Sequence, residues 1–293
     1  MVKKASKRVR DSFFASIGIV GFISTVMSII GNSLSDVIPI TGFLGIILKF
    51  LVVILIIASF FGLVYAGIGI VYKNGVKLTI RGTSIEICSG DIFKANGLRV
   101  IGCDTHFDTR ADGIIISKTS LQGKLILEHG NVNDIKKAVK AAAQRCHYTK
   151  DQRGQYTFPL GSIVKYDSDE KQTYLMLAMT ALNADYEAHT NMAEYEQMLM
   201  KMWKEIDRVY NGEPVAIPLL GTGMTRFDDG NKDRATLLRC MLCTLNASAV
   251  TLKAPVKIII QIEDSDSKKN GAKKEKIPMY EFKDALRIVS GKA

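Results

Sequence analysis

The sequence predicts an α/β protein in which a two-helix N-terminal transmembrane hairpin is followed by a mixed β-sheet with helices on both faces. Two observations support this prediction. Residues 50–72 contain no charged side chain, and short β-branched runs alternate with amphipathic helical patterns from residue 76 onward. The part that follows the apolar segments is long enough to bury a sizeable core. We therefore divide the chain into a membrane part and one α/β domain over residues 76–293.

The second apolar segment is predicted as a transmembrane helix over residues 43–72. With a rise of about 1.5 Å per residue, its uncharged part can cross the roughly 30 Å hydrocarbon core of a bilayer. A helix at the surface of a soluble protein normally keeps a polar face, whereas residues 50–72 have none. Lys49 lies near the start of the helix, where its ammonium group can reach the lipid headgroups.

The first apolar segment is predicted as a transmembrane helix over residues 12–35, after a basic cytoplasmic N-terminus over residues 1–11. A secretory signal also starts with basic residues, but its apolar region usually covers only about 7–15 residues. The connecting turn, residues 32–41, contains no Lys or Arg, while basic side chains flank the hairpin at its two other ends. Because cytoplasmic loops are enriched in Lys and Arg, we predict a multi-pass protein of the cell inner membrane with both termini and the α/β domain in the cytoplasm.

Small side chains recur every four residues in the second helix, at Ala58, Gly62 and Ala66. This spacing places them on one helical face and lets another helix approach closely. Small residues are also frequent in membrane helices that do not associate. We predict a homo-oligomer that has membrane lipids as a direct partner.

Apolar, β-branched runs predict the strands of the α/β domain. They cover residues 76–80, 84–88, 98–103, 124–127, 162–166, 173–181, 214–220 and 256–262. Periodic apolar positions predict helices over residues 134–146, 192–210, 233–247 and 280–289. The polar turn 167–171 between two strand patterns predicts a β-hairpin. Strands interleaved with helices in this way indicate a mixed sheet that is covered on both faces.

Composition argues against several other classes of protein. Residues 73–293 carry 33 Lys and Arg against 27 Asp and Glu, a mild surplus, and neither a basic helix nor interleaved aromatic residues indicates nucleic-acid binding. Cys240 and Cys243 fall inside an apolar helical pattern, which favours buried thiols over a zinc or redox site. The four histidines are scattered, without metal-ligand spacing, at His106, His129, His147 and His189. We therefore assign no metal and no cofactor.

Three loops that follow predicted strands are rich in Gly, Thr and Asp. A glycine-rich turn that leaves a strand lets backbone amides approach a phosphate group without interference from side chains. Each loop by itself is an ordinary turn, but their order along the chain predicts a site for a phosphorylated ligand. The candidate ligand-binding residues are Gly90, Asp91, Ile92, Asp104, Phe107, Asp108, Thr109, Leu121, Gln122, Gly123, Leu220, Gly221, Thr222, Gly223 and Met224.

The order of these motifs resembles that of the macrodomain family, which binds ADP-ribose and related compounds. In that family a strand leads into a Gly-Asp-Ile turn whose Asp recognises the adenine amino group, and here this turn is Gly90, Asp91 and Ile92. A later strand ends in a glycine-rich loop that wraps the diphosphate, and the matching segment is 220–224. The resemblance covers most of residues 76–289, and it implies a macrodomain-like sheet.

More narrowly, two membrane spans before a divergent macrodomain are similar to the membrane-bound effectors of the bacterial Thoeris antiphage system. This resemblance implies that the ligand is an ADP-ribose derivative, including one that carries histidine. It also implies that a partner TIR-domain enzyme makes this signal from NAD, and that ligand binding leads to membrane disruption and cell death.

The sequence departs from macrodomains that hydrolyse ADP-ribose conjugates. Those enzymes usually carry an Asn-rich run after the second strand and a three-glycine loop beyond it, whereas this chain has residues 103–108 and the single Gly123. Asp104 or Asp108 could still position a water molecule as a general base. We predict a binding protein without catalytic residues. The alternatives are a membrane-anchored ADP-ribosyl hydrolase and a scaffold that binds a protein partner.

Overall fold

The computed structural model describes residues 7–29, 42–71, 75–145, 148–150, 154–183 and 185–261. The chain divides into two compact units, whose described parts are residues 7–71 and residues 75–261. The predicted turn 32–41, the predicted helix 280–289 and His147 lie outside the described residues.

The N-terminal unit consists of two helices, α1 (Lys7–Ile29) and α2 (Gly42–Val71), which contact each other. Both carry large apolar side chains that are exposed, among them Phe22 and Leu63 at 71% and 69% exposure. The windows Val9–Ser28 and Gly42–Ile68, with mean hydropathies of 1.4 and 2.8, are long and apolar enough to cross a membrane, by length and composition alone. Placement in a membrane stays a prediction.

The second unit is built on a mixed sheet. Its strands are β1 (Val76–Ile80), β2 (Thr83–Gly90), β3 (Leu98–Asp104), β6 (Ile163–Asp167), β7 (Thr173–Leu182), β8 (Ala188–Thr190), β9 (Val215–Pro218), β10 (Arg226–Phe227) and β11 (Val256–Gln261). They are hydrogen-bonded in the order β1-β2-β11-β9-β3-β7-β8-β10, and β6 also pairs with β7. Two short strands, β4 (Thr149–Lys150) and β5 (Tyr156–Thr157), form a separate antiparallel ribbon.

The centre of the sheet is parallel and is flanked on both sides by antiparallel pairs, while the outermost pair β8–β10 is parallel. Strands β2, β11, β9, β3 and β7 all run in the same direction. The pairs β1–β2, β6–β7 and β7–β8 are antiparallel. The predicted hairpin around residues 167–171 is confirmed as β6–β7, and the prediction of a mixed sheet is confirmed with it.

Both faces of the central strands are buried. Neighbouring residues of one strand point to opposite faces, and Val100 and Ile101 in β3 are both fully buried. The same holds for Ile258 and Ile259 in β11, at 0% and 2% exposure. A helix therefore has to cover each face.

The helices that cover the sheet are α4 (Val132–Ala143), α5 (Met192–Val209) and α6 (Arg234–Ala247). All three begin at a side chain that caps the helix: the Asn131, Asn191 and Asp233 side chains accept hydrogen bonds from backbone N–H groups of the first turn. These helices confirm the three helix predictions over residues 134–146, 192–210 and 233–247, except that Cys146 lies outside the described residues.

The prediction of a strand over residues 124–127 is wrong. This segment ends the short helix α3 (Leu121–Lys124) and begins a π-helix, Leu125–His129. The Ser120 hydroxyl starts the turn by accepting a hydrogen bond from Gly123 N. A short apolar run cannot be assigned to strand or helix by periodicity alone, and here the cap decided for the helix.

The two cysteines of α6 differ in exposure. Cys240 is buried as predicted, whereas Cys243 is exposed, so the prediction of a buried thiol was wrong there. Burial, together with a hydrogen bond to Glu196, raises the pKa of the Cys240 thiol to about 12. At neutral pH this thiol is protonated and unreactive.

Candidate functional site

The three predicted loops follow strands that end at the same edge of the sheet. Because β2, β9 and β3 are parallel, their carboxyl ends at Gly90, Pro218 and Asp104 all lie at that edge. Ligands of open α/β sheets bind in the crevice outside these carboxyl ends. In the strand order, β2 is three positions from β3 and β9 is next to β3. With strands about 4.8 Å apart, the ends of β2 and β3 are on the order of 14 Å from each other, so the edge suits an elongated ligand.

Asp91 forms the beginning of the loop after β2. It is half-buried, and its Oδ1 accepts a hydrogen bond from Phe93 N at 3.0 Å, which caps a single 3₁₀ turn, Ile92–Lys94. The side chain of Ile92 is fully buried in the core, so only its backbone can face a ligand. A Cβ at Gly90 would make only ordinary contact with Ile259, at 3.6 Å.

Asp104 ends β3 and is almost fully buried, at 3% exposure. Its Oδ1 accepts a hydrogen bond from His106 N at 2.7 Å. Its Oδ2 accepts from Asp108 N at 3.0 Å and from Gln122 Nε2 at 2.6 Å. The Gln122 side chain also accepts from Asp104 N and donates to the Asp108 carbonyl oxygen. The buried carboxylate thus organises the backbone of the loop around itself.

Phe107 and Asp108 continue this loop. Phe107 adopts a left-handed backbone conformation, with φ of 52°, and its buried ring packs edge-on against Phe158 with ring centroids 5.1 Å apart. Asp108 forms an ion pair with Arg110. Burial by itself would raise the pKa of Asp108, but the hydrogen bonds and charge of Arg110 prevail and hold it below its ordinary value. Thr109 is half-buried beside them.

The segment 120–123 packs beneath the Asp104 loop. Leu121 is half-buried, and Gln122 and Gly123 are buried. A Cβ at Gly123 would lie 2.1 Å from the carbonyl oxygen of Ser117, so the backbone packing admits only glycine there. Backbone packing alone therefore explains why residue 123 is a glycine, without reference to any ligand.

The loop after β9 consists of residues 219–225, and we call its part 221–225 the glycine loop. Gly221 has φ of +82°, and the Phe227 ring and the Leu237 side chain lie close to the position of a Cβ, at 3.2 and 3.4 Å. The Leu220 carbonyl oxygen accepts a hydrogen bond from the Tyr195 hydroxyl at 3.0 Å. Thr222 Oγ1 donates to the Leu219 carbonyl oxygen at 2.8 Å.

The tip of the glycine loop is open. Gly223 and Met224 are exposed, Met224 at 63%, and a Cβ at Gly223 would meet no atom within 4 Å. The start of the loop, in contrast, is buried at Leu220 and lies beside β3, since a Cβ at Gly102 would be 3.7 Å from Leu220 Cδ2. The structure thus brings the Asp104 loop and the glycine loop side by side, and it places Asp91 at the same edge, at the end of β2.

Some residues that shape this site were not singled out in the sequence. Phe158 supports Phe107, and its backbone N donates to the Thr105 carbonyl oxygen at 2.9 Å. Arg110 pairs with Asp108. Only Arg110 carried a local signal, since it lies two residues after an aspartate in a polar loop. Phe158 is about fifty residues away in the sequence, and nothing near it points to this role.

Comparison with known proteins assigns the α/β domain to a family. Residues 85–263 match the family described as Thoeris protein ThsA, Macro domain. The chain belongs to this ThsA family. The Thoeris protein ThsA of Bacillus amyloliquefaciens (strain Y2) is 31% identical over 212 residues, which covers 69% of this chain and 70% of that relative.

Solved structures that resemble this ThsA-family chain include an Oceanobacillus iheyensis macrodomain with MES bound. The alignment with that structure covers 75% of this chain and 98% of the macrodomain chain, at 14% identity and a TM-score of 0.47. The Oceanobacillus iheyensis macrodomain with ADP gives 12% identity and a TM-score of 0.46, over the same shares of the two chains.

Proposed function

We propose that this ThsA-family chain is a membrane-anchored antiphage effector whose macro domain binds an ADP-ribose-type nucleotide without hydrolysing it. The observation that carries the proposal is the shared sheet edge. It places a half-buried carboxylate at Asp91, a buried polar network at Asp104 and an open glycine loop at the ends of parallel strands.

The adenine end of the ligand is proposed to lie at Asp91. Its Oδ1 is used in the cap of the 3₁₀ turn, and a carboxylate has further acceptor capacity for an exocyclic amino group. Gly90 and the backbone of Ile92 complete this part of the site in the proposal.

The diphosphate is proposed to lie on the glycine loop. Backbone N–H groups of Gly221, Thr222, Gly223 and Met224 can turn toward an anion, because no side chain fills the space beside Gly223. The second wall of the site consists of the Asp104 loop and the segment below it, with Phe107, Asp108, Thr109, Leu121, Gln122 and Gly123, and Leu220 adjoins it from the loop after β9.

The polar groups of this wall favour binding over hydrolysis. The Asp104 carboxylate accepts three hydrogen bonds, and the pKa of Asp108 is held below its ordinary value by Arg110. A carboxylate with a lowered pKa, such as that of Asp108, is a weak general base at neutral pH, and the Asp104 oxygens are already used as acceptors within their own loop. These contacts suit the two aspartates to holding a loop in place.

A second candidate function, ADP-ribosyl hydrolysis, rests on His106. Its Nδ1 lies 3.6 Å from Asp104 Oδ1, and its Nε2 lies 3.2 Å from Thr157 Oγ1. A half-buried histidine beside a carboxylate is a common general base. Turnover of an ADP-ribosylated substrate by the purified chain, abolished in His106→Gln, would establish this function instead.

The biological output is proposed from the family and from the two apolar helices. The signal would come from a TIR-domain enzyme that consumes NAD, and an ADP-ribose conjugate that carries histidine is included among the ligands. The helices would span the inner membrane, with both termini and the macro domain in the cytoplasm, and several copies would together disrupt the membrane and kill the cell. The ligand must prefer the active arrangement of the oligomer, since equal affinity for two states shifts neither.

Calorimetry of ADP-ribose binding to the purified full-length chain tests the binding proposal. Gly223→Glu adds bulk and negative charge where the diphosphate should lie, and we expect a loss of affinity of at least about tenfold. Gly223→Ala is the matched control and should change the affinity less than about threefold, because its methyl group enters open space.

Asp91→Asn tests the adenine end. The amide oxygen keeps the cap on Phe93 N, but an NH₂ group replaces the second carboxylate oxygen, so we expect weaker binding with an unchanged melting temperature. No saturable heat from the unsubstituted chain with ADP-ribose or its conjugates would contradict the proposal and favour a scaffold.

A further inference from the structure

A cluster of four charged side chains lies at the end of the glycine loop, outside the residues assigned to the ligand. Glu187 and His189 come from the turn after β7 and from β8, while Arg226 and Asp228 come from β10 and the residue after it. β8 and β10 are paired in parallel, with Arg226 opposite His189. The cluster therefore joins the segment that follows β7 to the segment that leaves the glycine loop.

The imidazole of His189 lies between two carboxylates. Its Nδ1 is 2.6 Å from Asp228 Oδ1, and its Nε2 is 3.3 Å from Glu187 Oε2. An ionised carboxylate only accepts hydrogen bonds, and a neutral imidazole has one N–H donor. Both contacts can be hydrogen bonds only when His189 carries two protons and a positive charge. In the neutral ring, one nitrogen lone pair would face a carboxylate oxygen.

Other charged side chains lie on the elements that carry this cluster or adjoin it. Arg226 Nη1 lies 2.5 Å from the same Glu187 oxygen. On the adjoining first turn of α5, Glu194 accepts from the Thr190 hydroxyl at 3.4 Å, and Met192 N donates to Asp229, which also pairs with Lys232. The hydrogen bonds that the imidazole donates to Asp228 and Glu187 raise the pKa of His189 above its ordinary value.

The cluster holds the carboxyl end of the glycine loop, and core residues hold the same end. Asp228 N donates to the Thr190 carbonyl oxygen at 2.9 Å, and the buried Phe227 ring packs edge-on against Tyr195. Tyr195 also binds the other end of the loop at Leu220. Gly223 and Met224, between these two ends, are exposed, so their position depends on how firmly the ends are held.

We propose that Glu187, His189 and Asp228 are positioning residues that stabilise the diphosphate-binding conformation of the glycine loop while His189 is protonated, so that affinity for the nucleotide falls as pH rises. This inference rests on the proposed function and adds a pH-dependent control of the same site. A group whose folded pKa is raised contributes stability that is complete below its unfolded pKa and is lost as pH rises through the folded value. The change therefore occurs above about pH 6.5.

The test compares two substitutions in the full-length chain. His189→Gln is neutral at every pH, and His189→Arg is charged at every pH. Calorimetry with ADP-ribose is carried out from about pH 6 to about pH 9, a range that spans the titration of a histidine. The ligand itself does not interfere, because its diphosphate diester keeps both charges throughout.

We expect the affinity of the unsubstituted chain to fall about fivefold across this range, which is the scale of two exposed ion pairs. His189→Gln should bind about fivefold more weakly at the acidic end and show little pH dependence. His189→Arg should bind tightly at both ends. Lys137→Gln, which breaks an exposed ion pair on α4, serves as the control and should keep the profile of the unsubstituted chain.

A second readout does not need the ligand. Hydrogen-exchange protection of residues 221–230 in the absence of nucleotide should fall with rising pH in the unsubstituted chain and stay constant in both His189 variants. A pH profile that persists in His189→Gln, for example from His106, would overturn the inference, and so would pH-independent protection of the loop. Absence of nucleotide binding at every pH, with the expected change in protection, would instead contradict the proposed function while leaving the loop control intact.

Discussion

The loop after β3 and the glycine loop after β9 are neighbours at one edge of the sheet, but they are held in different ways. In the first, a buried side chain, Asp104, collects hydrogen bonds from the backbone and from Gln122. In the second, the two ends are fixed by Tyr195, Phe227 and charged side chains, while the tip at Gly223 is open. We therefore expect substitutions in the first loop, and at the buried start of the second, to affect stability, and substitutions at the open tip of the second to affect binding.

Asp104→Ala should have the largest effect on stability. It removes the acceptor of two backbone N–H groups and of the Gln122 amide. Because each buried donor left without a partner costs about 1–3 kcal/mol, we expect a loss of about 3 kcal/mol or more. Emission of Trp203, the single tryptophan of the chain and a fully buried residue, reports unfolding.

The control for this prediction is Asp112→Ala, since Asp112 is exposed and caps only the local backbone at Ile114 and Ile115. Its cost should stay near 1 kcal/mol. An equal loss of unfolding free energy in both variants would show that the burial of Asp104 does not add to its contribution to stability.

Within the glycine loop, Gly221→Ala and Gly223→Ala form a matched pair. Alanine at 221 would have to adopt φ of +82° with its methyl group 3.2 Å from the Phe227 ring, and we expect a loss of about 1–2 kcal/mol. Alanine at 223 meets no atom within 4 Å and should cost less than about 0.5 kcal/mol. Thermal melts of the two variants decide this, and the reverse order would show that the tip is the constrained part.

Arg110→Gln should have a smaller effect than Asp104→Ala or Gly221→Ala, and its effect should depend on pH. Arg110 lowers the pKa of Asp108, so the contribution of the pair is present above the ordinary carboxyl value of about 3.9 and is lost as pH falls through the lowered value. Because the Arg110 side chain is 47% exposed, we expect less than about 1 kcal/mol at pH 7. The urea midpoints of the unsubstituted chain and of the variant should differ at pH 7 and become equal near pH 2. A difference that stays the same at both pH values would contradict the assignment.

Most strands and helices of the α/β domain could be predicted because their patterns are local. The alternating run that became β2 and the apolar stripe that became α5 each repeat with the period of one element. The strand prediction over residues 124–127 was wrong because Leu125 and Ile126 are apolar and adjacent, a pattern that fits either a strand or a buried helical turn. The structure resolves the choice, since the Ser120 hydroxyl caps a helical turn by accepting a hydrogen bond from Gly123 N.

The candidate site was predictable in part for the same reason. Asp91 directly follows β2 and Gly221 lies three residues after the end of β9, so their positions at one sheet edge follow from parallel strand directions. The roles of their neighbours were not predictable. Gln122 lies eighteen residues from Asp104, and Asp228 lies thirty-nine from His189, yet each pair is in contact at 2.6 Å.

The sequence by itself determined the division into an apolar pair of helices and an α/β domain, the order of the strand and helix patterns, and the three loops that follow strands. These depend on periodicity, turn residues and caps within a few positions of one another. Only the tertiary structure decided the strand order β2-β11-β9-β3, the burial of the Asp104 carboxylate and the position of His189 between two carboxylates. Such contacts arise when the packing of the sheet brings distant segments together, and no local pattern records which segments will meet.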